Sequence, residues 1–294
     1  MDKIEKQAPA GPAVVITGAH SGIGQQLIER LAGSSTKVLG LVTPWCNTGG
    51  LVLSEQVEYL PCDLREPLPP AMAERCRNGR ILVHLAWARP KSTFDAIPDN
   101  VKIFNHIRAA LPDGVKTVYM SSVCATPANP ANYGQAKYHL GQQMDPANTV
   151  EIIAGLLRSE PAIGPYLALQ DFVCKLHARF MFLPSPLALV ARPEQVMDAL
   201  VNAVLNFDAC PRILPAYDPE PVRLNDLIAN ILAEKGITGI PLPVPTGLVL
   251  GLLYLARRLV PGVPISDRLI TLLTVSPSEL AARIEAETKT DSIP

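Results

Sequence analysis

Val14-Val15-Ile16-Thr17-Gly18-Ala19-His20-Ser21-Gly22-Ile23-Gly24 decides the fold of this chain. A short β-branched run enters a glycine turn, and beyond it Ile23, Leu27 and Leu31 recur at helical spacing. The reading is strand, phosphate loop, helix. Such a turn brings backbone N–H groups and the positive end of a helix dipole to one point, where a pyrophosphate would be held. Gly18, Gly22 and Gly24 permit that approach, and His20, Ser21 and Ile23 complete the expected cofactor-binding turn.

Working outward, further apolar runs follow at Lys37 to Val42, Val57 to Leu60, Ile81 to Leu85, Val115 to Met120 and Val150 to Leu157. The stretches between them are mostly polar or helical. Alternation of this kind predicts an α/β protein with a Rossmann-type, doubly wound parallel sheet. Pro161, Pro165, Pro184, Pro186 and Pro193 break the pattern, and Pro241 to Pro264 is again punctuated by proline. A dinucleotide-binding domain over 11–164, with 190–216 returning to it, is therefore expected beside a smaller C-terminal substrate-binding lobe of 165–189 and 217–294.

The 294 residues are 48% hydrophobic and carry a formal charge of -1, enough apolar material for a large core and no basic footprint for nucleic acid. A small molecule is the expected partner. The six cysteines lie far apart with no Cys-x-x-Cys pair, so they read as reduced thiols, with no metal site. Met1 to Pro12 lacks the apolar core of a secretory signal, which predicts a cytoplasmic protein. The most hydrophobic stretch, Gly247 to Ala256, falls short of the roughly 20 residues that span a bilayer. It reads first as a buried helix, with a lid over an apolar substrate or a membrane-docking surface as alternatives.

Tyr133 and Lys137 stand four residues apart in Tyr133-Gly134-Gln135-Ala136-Lys137 and so share a helical face. An ammonium beside a phenol lowers the phenol's pKa, which would let Tyr133 act as general acid or base on a carbonyl or alcohol while Lys137 also holds a nicotinamide ribose. Ser122, just after Val118-Tyr119-Met120, is placed to donate to the substrate oxygen. Asp63 in Cys62-Asp63-Leu64 follows the third strand, where a carboxylate can accept from an adenine amino group; Leu64 adjoins it.

On these residues the chain resembles the short-chain dehydrogenase/reductase superfamily, in its extended, epimerase/dehydratase-like branch. The likeness runs from about Ala13 to Ile228 and takes in His84-Leu85-Ala86-Trp87, Asn100, Ser121-Ser122, Tyr133 to Tyr138, and Leu157-Arg158-Ser159-Glu160-Pro161-Ala162-Ile163-Gly164-Pro165. The resemblance implies NAD or NADP as cofactor and a tetrad of Asn100, Ser122, Tyr133 and Lys137. It also implies cofactor contacts at Leu85, Ala86, Pro161 and Ile163, and a homodimer through helices that include the Tyr-x-x-x-Lys segment.

Four departures refine this expectation. The glycines follow Gly-x-x-x-Gly-x-Gly, the spacing of the single-domain branch. Val42 stands where NAD-preferring members place a ribose-binding carboxylate, and Thr43 stands where many NADP-preferring members have Arg, so the balance tips only slightly to NADP. Val123 and Cys124 replace the Asp-Glu pair of the 4,6-dehydratases, which argues against elimination. The stretch from Gly164 to Glu194 lacks the Gly-rich, Arg-containing segment of many nucleotide-sugar enzymes. Arg89 to Phe94, Trp87 and Cys124 would line the substrate pocket instead. The leading expectation is an oxidoreductase that interconverts a ketone and an alcohol; an epimerase with retained NAD and a non-catalytic dinucleotide-binding protein are the alternatives.

Overall fold

In the computed structural model, residues 13–88, 96–159, 164–175, 180–259 and 267–290 are described. The first half alternates as the apolar runs require: β1 (Val14–Thr17), α1 (Gly22–Gly33), β2 (Val38–Val42), β3 (Val57–Pro61), α2 (Pro70–Cys76), β4 (Ile81–His84), α3 (Ala96–Ala109), β5 (Lys116–Ser122), α4 (Asn132–Gln142) and β6 (Thr149–Ala154). Then come β7 (Leu156–Leu157), α5 (Gly164–Lys175), β8 (Phe180–Pro184), β9 (Leu187–Ala188), β10 (Val190–Ala191), α6 (Pro193–Leu205), β11 (Ile213–Ala216), β12 (Val222–Arg223), α7 (Leu224–Glu234), β13 (Ile240–Val244), α8 (Thr246–Leu259), α9 (Asp267–Leu273) and α10 (Pro277–Thr290).

Seven strands form one sheet in the order β11-β6-β5-β4-β1-β2-β3, every neighbouring pair parallel. This is the Rossmann order with β11 added at one edge. Strands covered on both faces must be apolar throughout, and β1 and β2 are buried along their whole length. Val14 and Ile16 turn to the face covered by Leu27 and Leu31 of α1 and Val196 and Leu200 of α6. Val15 turns to the other, with Phe104 and Ile107 of α3 and Leu140 of α4. The sheet's carboxyl edge, where the order reverses between β1 and β4, is the place such folds reserve for a ligand.

A separate cluster forms where Tyr166, Leu169 and Val173 of α5 meet Leu227, Ile228 and Ile231 of α7 and Leu272 and Leu273. The last helix behaves differently. Leu280 of α10 packs with Val123, Cys124 and Ile153 against the sheet. The buried-helix reading of Gly247 to Ala256 is corrected: within α8, Val249 and Leu250 pack on the lobe, whereas Leu248, Leu252 and Leu255 are 58%, 58% and 51% exposed. A helix apolar on every side has more greasy surface than one neighbour can cover. Among the described residues, no helix is long and apolar enough to cross a membrane.

Candidate active site

The β1–α1 turn is built by close approach. Gly18 has φ +68°, and a Cβ there would lie 2.9 Å from the Ala86 nitrogen, so only glycine lets the turn pass under the loop after β4. Ser21 caps α1, its hydroxyl accepting from the Gly24 N–H at 3.1 Å. Gly24 rests on the carbonyls of Gly18 and Ala19, while a Cβ on Gly22 would meet nothing within 4 Å. Ile23 packs into the core and His20 is exposed. With no acidic side chain in its first turn, the 12-residue helix opens an uncrowded, electropositive end to the edge of the sheet. This turn fits a dinucleotide pyrophosphate.

Thr17 joins that turn to the loop after β4. Its hydroxyl accepts from the N–H groups of Leu85 (3.2 Å) and Ala86 (3.1 Å) and lies 3.0 Å from His84 Nδ1. Burial pulls His84 down to about 3, and the charge of Lys137 adds to the effect. Asn100, fully buried, accepts from the Ala88 N–H at 2.9 Å and donates to the Ala96 carbonyl at 2.8 Å. It positions the loop that carries Trp87.

At the far edge of the sheet, Thr43 is half-buried and both Asp63 oxygens are held by Arg65, at 2.9 and 2.6 Å. These hydrogen bonds keep the Asp63 carboxyl below its ordinary range. Arg65 also lies 5.3 Å from the centre of the Trp45 ring. His106 Nδ1 faces the Leu64 carbonyl at 3.0 Å, which braces the Asp63-Leu64 turn.

Ser122 ends β5, and its hydroxyl accepts from the Cys124 N–H at 3.3 Å and acts on the Tyr133 phenol. Helix α4 presses so closely on the loop after β5 that a Cβ on Gly134 would run into the Cys124 carbonyl oxygen. Lys137 is 5% exposed; its Nζ donates to the Met120 carbonyl at 2.7 Å and lies 4.7 Å from the Trp87 ring centre and 5.1 Å from that of Tyr119. The Tyr119 hydroxyl donates to the Lys137 carbonyl at 3.0 Å and so fixes the helix on the strand. The Trp87 and Tyr133 rings meet edge to face at 5.0 Å. Trp87 therefore roofs the Tyr133–Lys137 pair.

The electrostatics differ from the sequence expectation that Lys137 lowers the Tyr133 phenol. Burial raises the phenol, Cys124 adds to the rise, and the Ser122 hydrogen bond only opposes it. Burial also pulls the Lys137 ammonium down to about 7, against the attraction of Glu151. Two groups removed from water each disfavour their charged form. Cys124 is buried, and its thiol faces the Thr271 carbonyl of α9 at 3.9 Å. Pro161, Ile163 and Arg89 to Phe94 lie outside the described residues.

Sequence reading missed the bracing from the C-terminus. Arg283 of α10 is 6% exposed and donates to the Ala125 carbonyl at 2.7 Å, to Glu151 at 2.6 Å and to Glu287 at 2.8 Å. Thr126 donates to Glu279 at 3.2 Å, and Asn129 donates to the Thr274 carbonyl at 3.4 Å. The loop between Ser122 and Tyr133 is thus held by α9, α10 and the segment joining them. Among the described residues, no group of three or more His, Cys, Asp or Glu is placed to hold a metal ion.

Solved structures share this architecture. The Staphylococcus aureus nucleoside-diphosphate-sugar epimerase SAV0421 superposes with TM-score 0.63 at 12% identity, over 92% of this chain and 90% of that one. The Bordetella bronchiseptica enzyme WbmG, crystallised with NAD and UDP, gives 0.60 at 15% identity over 80% and 83%. The NAD-dependent NDP-hexosamine 5,6-dehydratase TunA, of tunicamycin biosynthesis, gives 0.57 at 16% identity over 92% and 98%. No protein-family model and no curated protein sequence matches the chain. The chain shares the fold of these epimerase and dehydratase structures.

Two outcomes follow from this geometry. Between about 7 and the ordinary lysine value of 10.5, the unfolded chain keeps a proton that folded Lys137 has shed, so stability rises with pH; below 7 both states are protonated and the burial cost acts in full. Urea denaturation from pH 7 to 9, below the range in which Cys62 and Cys76 are pushed up from 9.0 to about 11, should show this rise in the wild type and lose it in Lys137→Met. The slope is bounded by about 1.4 kcal/mol per pH unit. Gly134→Ala should lower the unfolding free energy by about 1–3 kcal/mol through overpacking, read as a fall in urea midpoint at unchanged m-value.

Proposed function

We propose that this protein is an NAD-dependent oxidoreductase of the short-chain dehydrogenase/reductase type that interconverts a ketone and a secondary alcohol. The observation that carries the reading is Tyr133 with the buried Lys137 one helical turn further on, both against Trp87 of the loop that the glycine turn approaches. A nicotinamide dinucleotide bound at that turn would supply a hydride to the carbonyl carbon, or take one from the carbinol carbon. The protein's part is to hold the oxygen and move its proton. Ser122 donates to the carbonyl oxygen and orients it, and Tyr133 delivers the proton as negative charge develops there. Burial keeps the phenol in its protonated form. Lys137, balanced between its two forms near pH 7, replenishes the phenol's proton and offers its Nζ to the ribose.

NAD is preferred to NADP here because relatives of this fold are crystallised with NAD, and because Arg65 is engaged by Asp63 and Trp45. Elimination is set aside despite the fold shared with a dehydratase: Val123 and Cys124 are buried in an apolar cluster, where neither offers an acid–base pair. Epimerisation with a retained cofactor is the second reading, favoured by the fold shared with a nucleoside-diphosphate-sugar epimerase.

Tyr133→Phe should lower turnover by about 10²–10⁴-fold while leaving the dissociation constant for NADH within about twofold. Unchanged turnover would remove Tyr133 from the reaction. Mass spectrometry of dinucleotide released by denaturation separates the two readings: stoichiometric NAD in the purified protein supports the epimerase, and an empty site that binds NADH reversibly supports the reductase.

A further inference from the structure

A row of polar side chains crosses the core at one level of the sheet. Parallel pairing sets Thr17 of β1 beside His84 of β4, His84 beside Tyr119 of β5, and Tyr119 beside Glu151 of β6. All four are buried. Residues at one register of neighbouring parallel strands project to the same face, and here α4 covers it. The Tyr119 hydroxyl meets the Lys137 carbonyl, and a Cβ on Gly141, one turn after Lys137, would lie 3.8 Å from both Glu151 oxygens.

Glu151 brings a full negative charge into this row, at 7% exposure. Arg283 of α10 donates to its Oε2 at 2.6 Å, whereas Oε1 is buried with no hydrogen-bond partner. A pair that served only to clasp α10 to the sheet would gain from a guanidinium fork on both oxygens. Arg283 instead directs its other nitrogens to the Ala125 carbonyl and to Glu287. The carboxylate is left to act through space, in an interior that screens charge far less than water does.

Few other ionisable groups bear on the Lys137 amine. Burial keeps His84 neutral, and the Tyr119 and Tyr133 phenols are pushed up and stay protonated. The Cys124 thiol faces the Thr271 carbonyl, and on α4 itself His139 is exposed. Helix α3, packed on α4, has Asp99 and Lys102 acting on Arg65 and Asp63, His106 on the Leu64 carbonyl and Arg108 on the Pro112 carbonyl. From α9, also packed on α4, the described side chains Ile270 to Leu273 carry no charge.

We propose that Glu151 is a positioning residue for the Tyr133–Lys137 site: anchored by Arg283, its carboxylate is the fixed counter-charge that keeps the buried Lys137 amine able to hold a proton near neutral pH. Burial alone drives that amine toward its neutral form, and Glu151 opposes the drift. What the proton is used for rests on the oxidoreductase reading; the coupling of the two charges does not.

The test uses the full-length protein carrying Trp45→Phe, which leaves Trp87 as its single tryptophan, with the ring centre 4.7 Å from the Lys137 Nζ. A cation so close perturbs indole emission, so fluorescence followed across neutral pH should show a transition at about 7 that Lys137→Met abolishes. Glu151→Gln keeps an acceptor for Arg283 but removes the charge, and should move the midpoint down by about one pH unit. Glu151→Asp keeps the charge at shorter reach and should move it down by about half a unit, which decides the matter should the Gln variant fail to fold. Glu287→Gln, on the other side of Arg283, should leave the midpoint in place. A purely structural role predicts the reverse order, with Asp disruptive and Gln silent. A parent with no such transition, a transition that survives Lys137→Met, or a midpoint unmoved by Glu151→Gln overturns the proposal. So does an equal shift in Glu287→Gln, which assigns the effect to any loss of charge around Arg283. NADH titration separates the two readings: Glu151→Gln should bind NADH as the parent does, and a parent that binds none ends the oxidoreductase reading while the midpoint still judges the charge coupling.

Discussion

A lysine amine removed from water is the constraint around which this molecule is arranged. Lys137 gives up hydration that a Met120 carbonyl, the faces of Trp87 and Tyr119 and the field of Glu151 only partly replace. Each substitute has to be held in turn. Asn100 holds the loop that carries Trp87, Tyr119 is tied to the lysine's own carbonyl, and Glu151 is paired with Arg283 from the far end of the chain. The site thus draws on β4, β5, β6, α3, α4 and α10 at once. The amine that results is labile near neutral pH, which a solvent-exposed lysine is not.

The glycine turn plays the same part at the other side of the sheet edge. Gly18 passes beneath Ala86, and Thr17 ties the loop above it, so the first strand and the fourth form one rigid rim. The glycine turn and the loop that carries Trp87 are thereby held in fixed register.

Much of this was legible in the sequence where the physics is local. Strands β1 and β2 announce themselves because parallel strands buried on both faces leave unbroken apolar runs, and β3 to β6 keep enough of the pattern to be read with them. Tyr133 and Lys137 are legible because four residues make one turn of helix. The short strands β7 to β10 and β12 are pinned by partners far along the chain, and their two to five residues carry no periodicity of their own. The exposure of α8 was hidden for a related reason: a helix apolar all round does not say which face finds a neighbour. Arg283 was invisible because its partners Glu151 and Ala125 lie 132 and 158 residues away. The direction for the Tyr133 phenol differs from the expectation because spacing reveals a cation beside a phenol but not the burial of both.

The brace formed by α10 also sets an order of events during synthesis. Ser122 and Tyr133 emerge from the ribosome long before Arg283, yet the loop between them takes its hydrogen bond from that arginine, 158 residues downstream of Ala125. A nascent chain can lay down the sheet and the glycine turn, and with them the means to hold a dinucleotide. The loop that joins the serine to the tyrosine is locked only once α10 has been made, so this part of the fold matures after the sheet on which it rests.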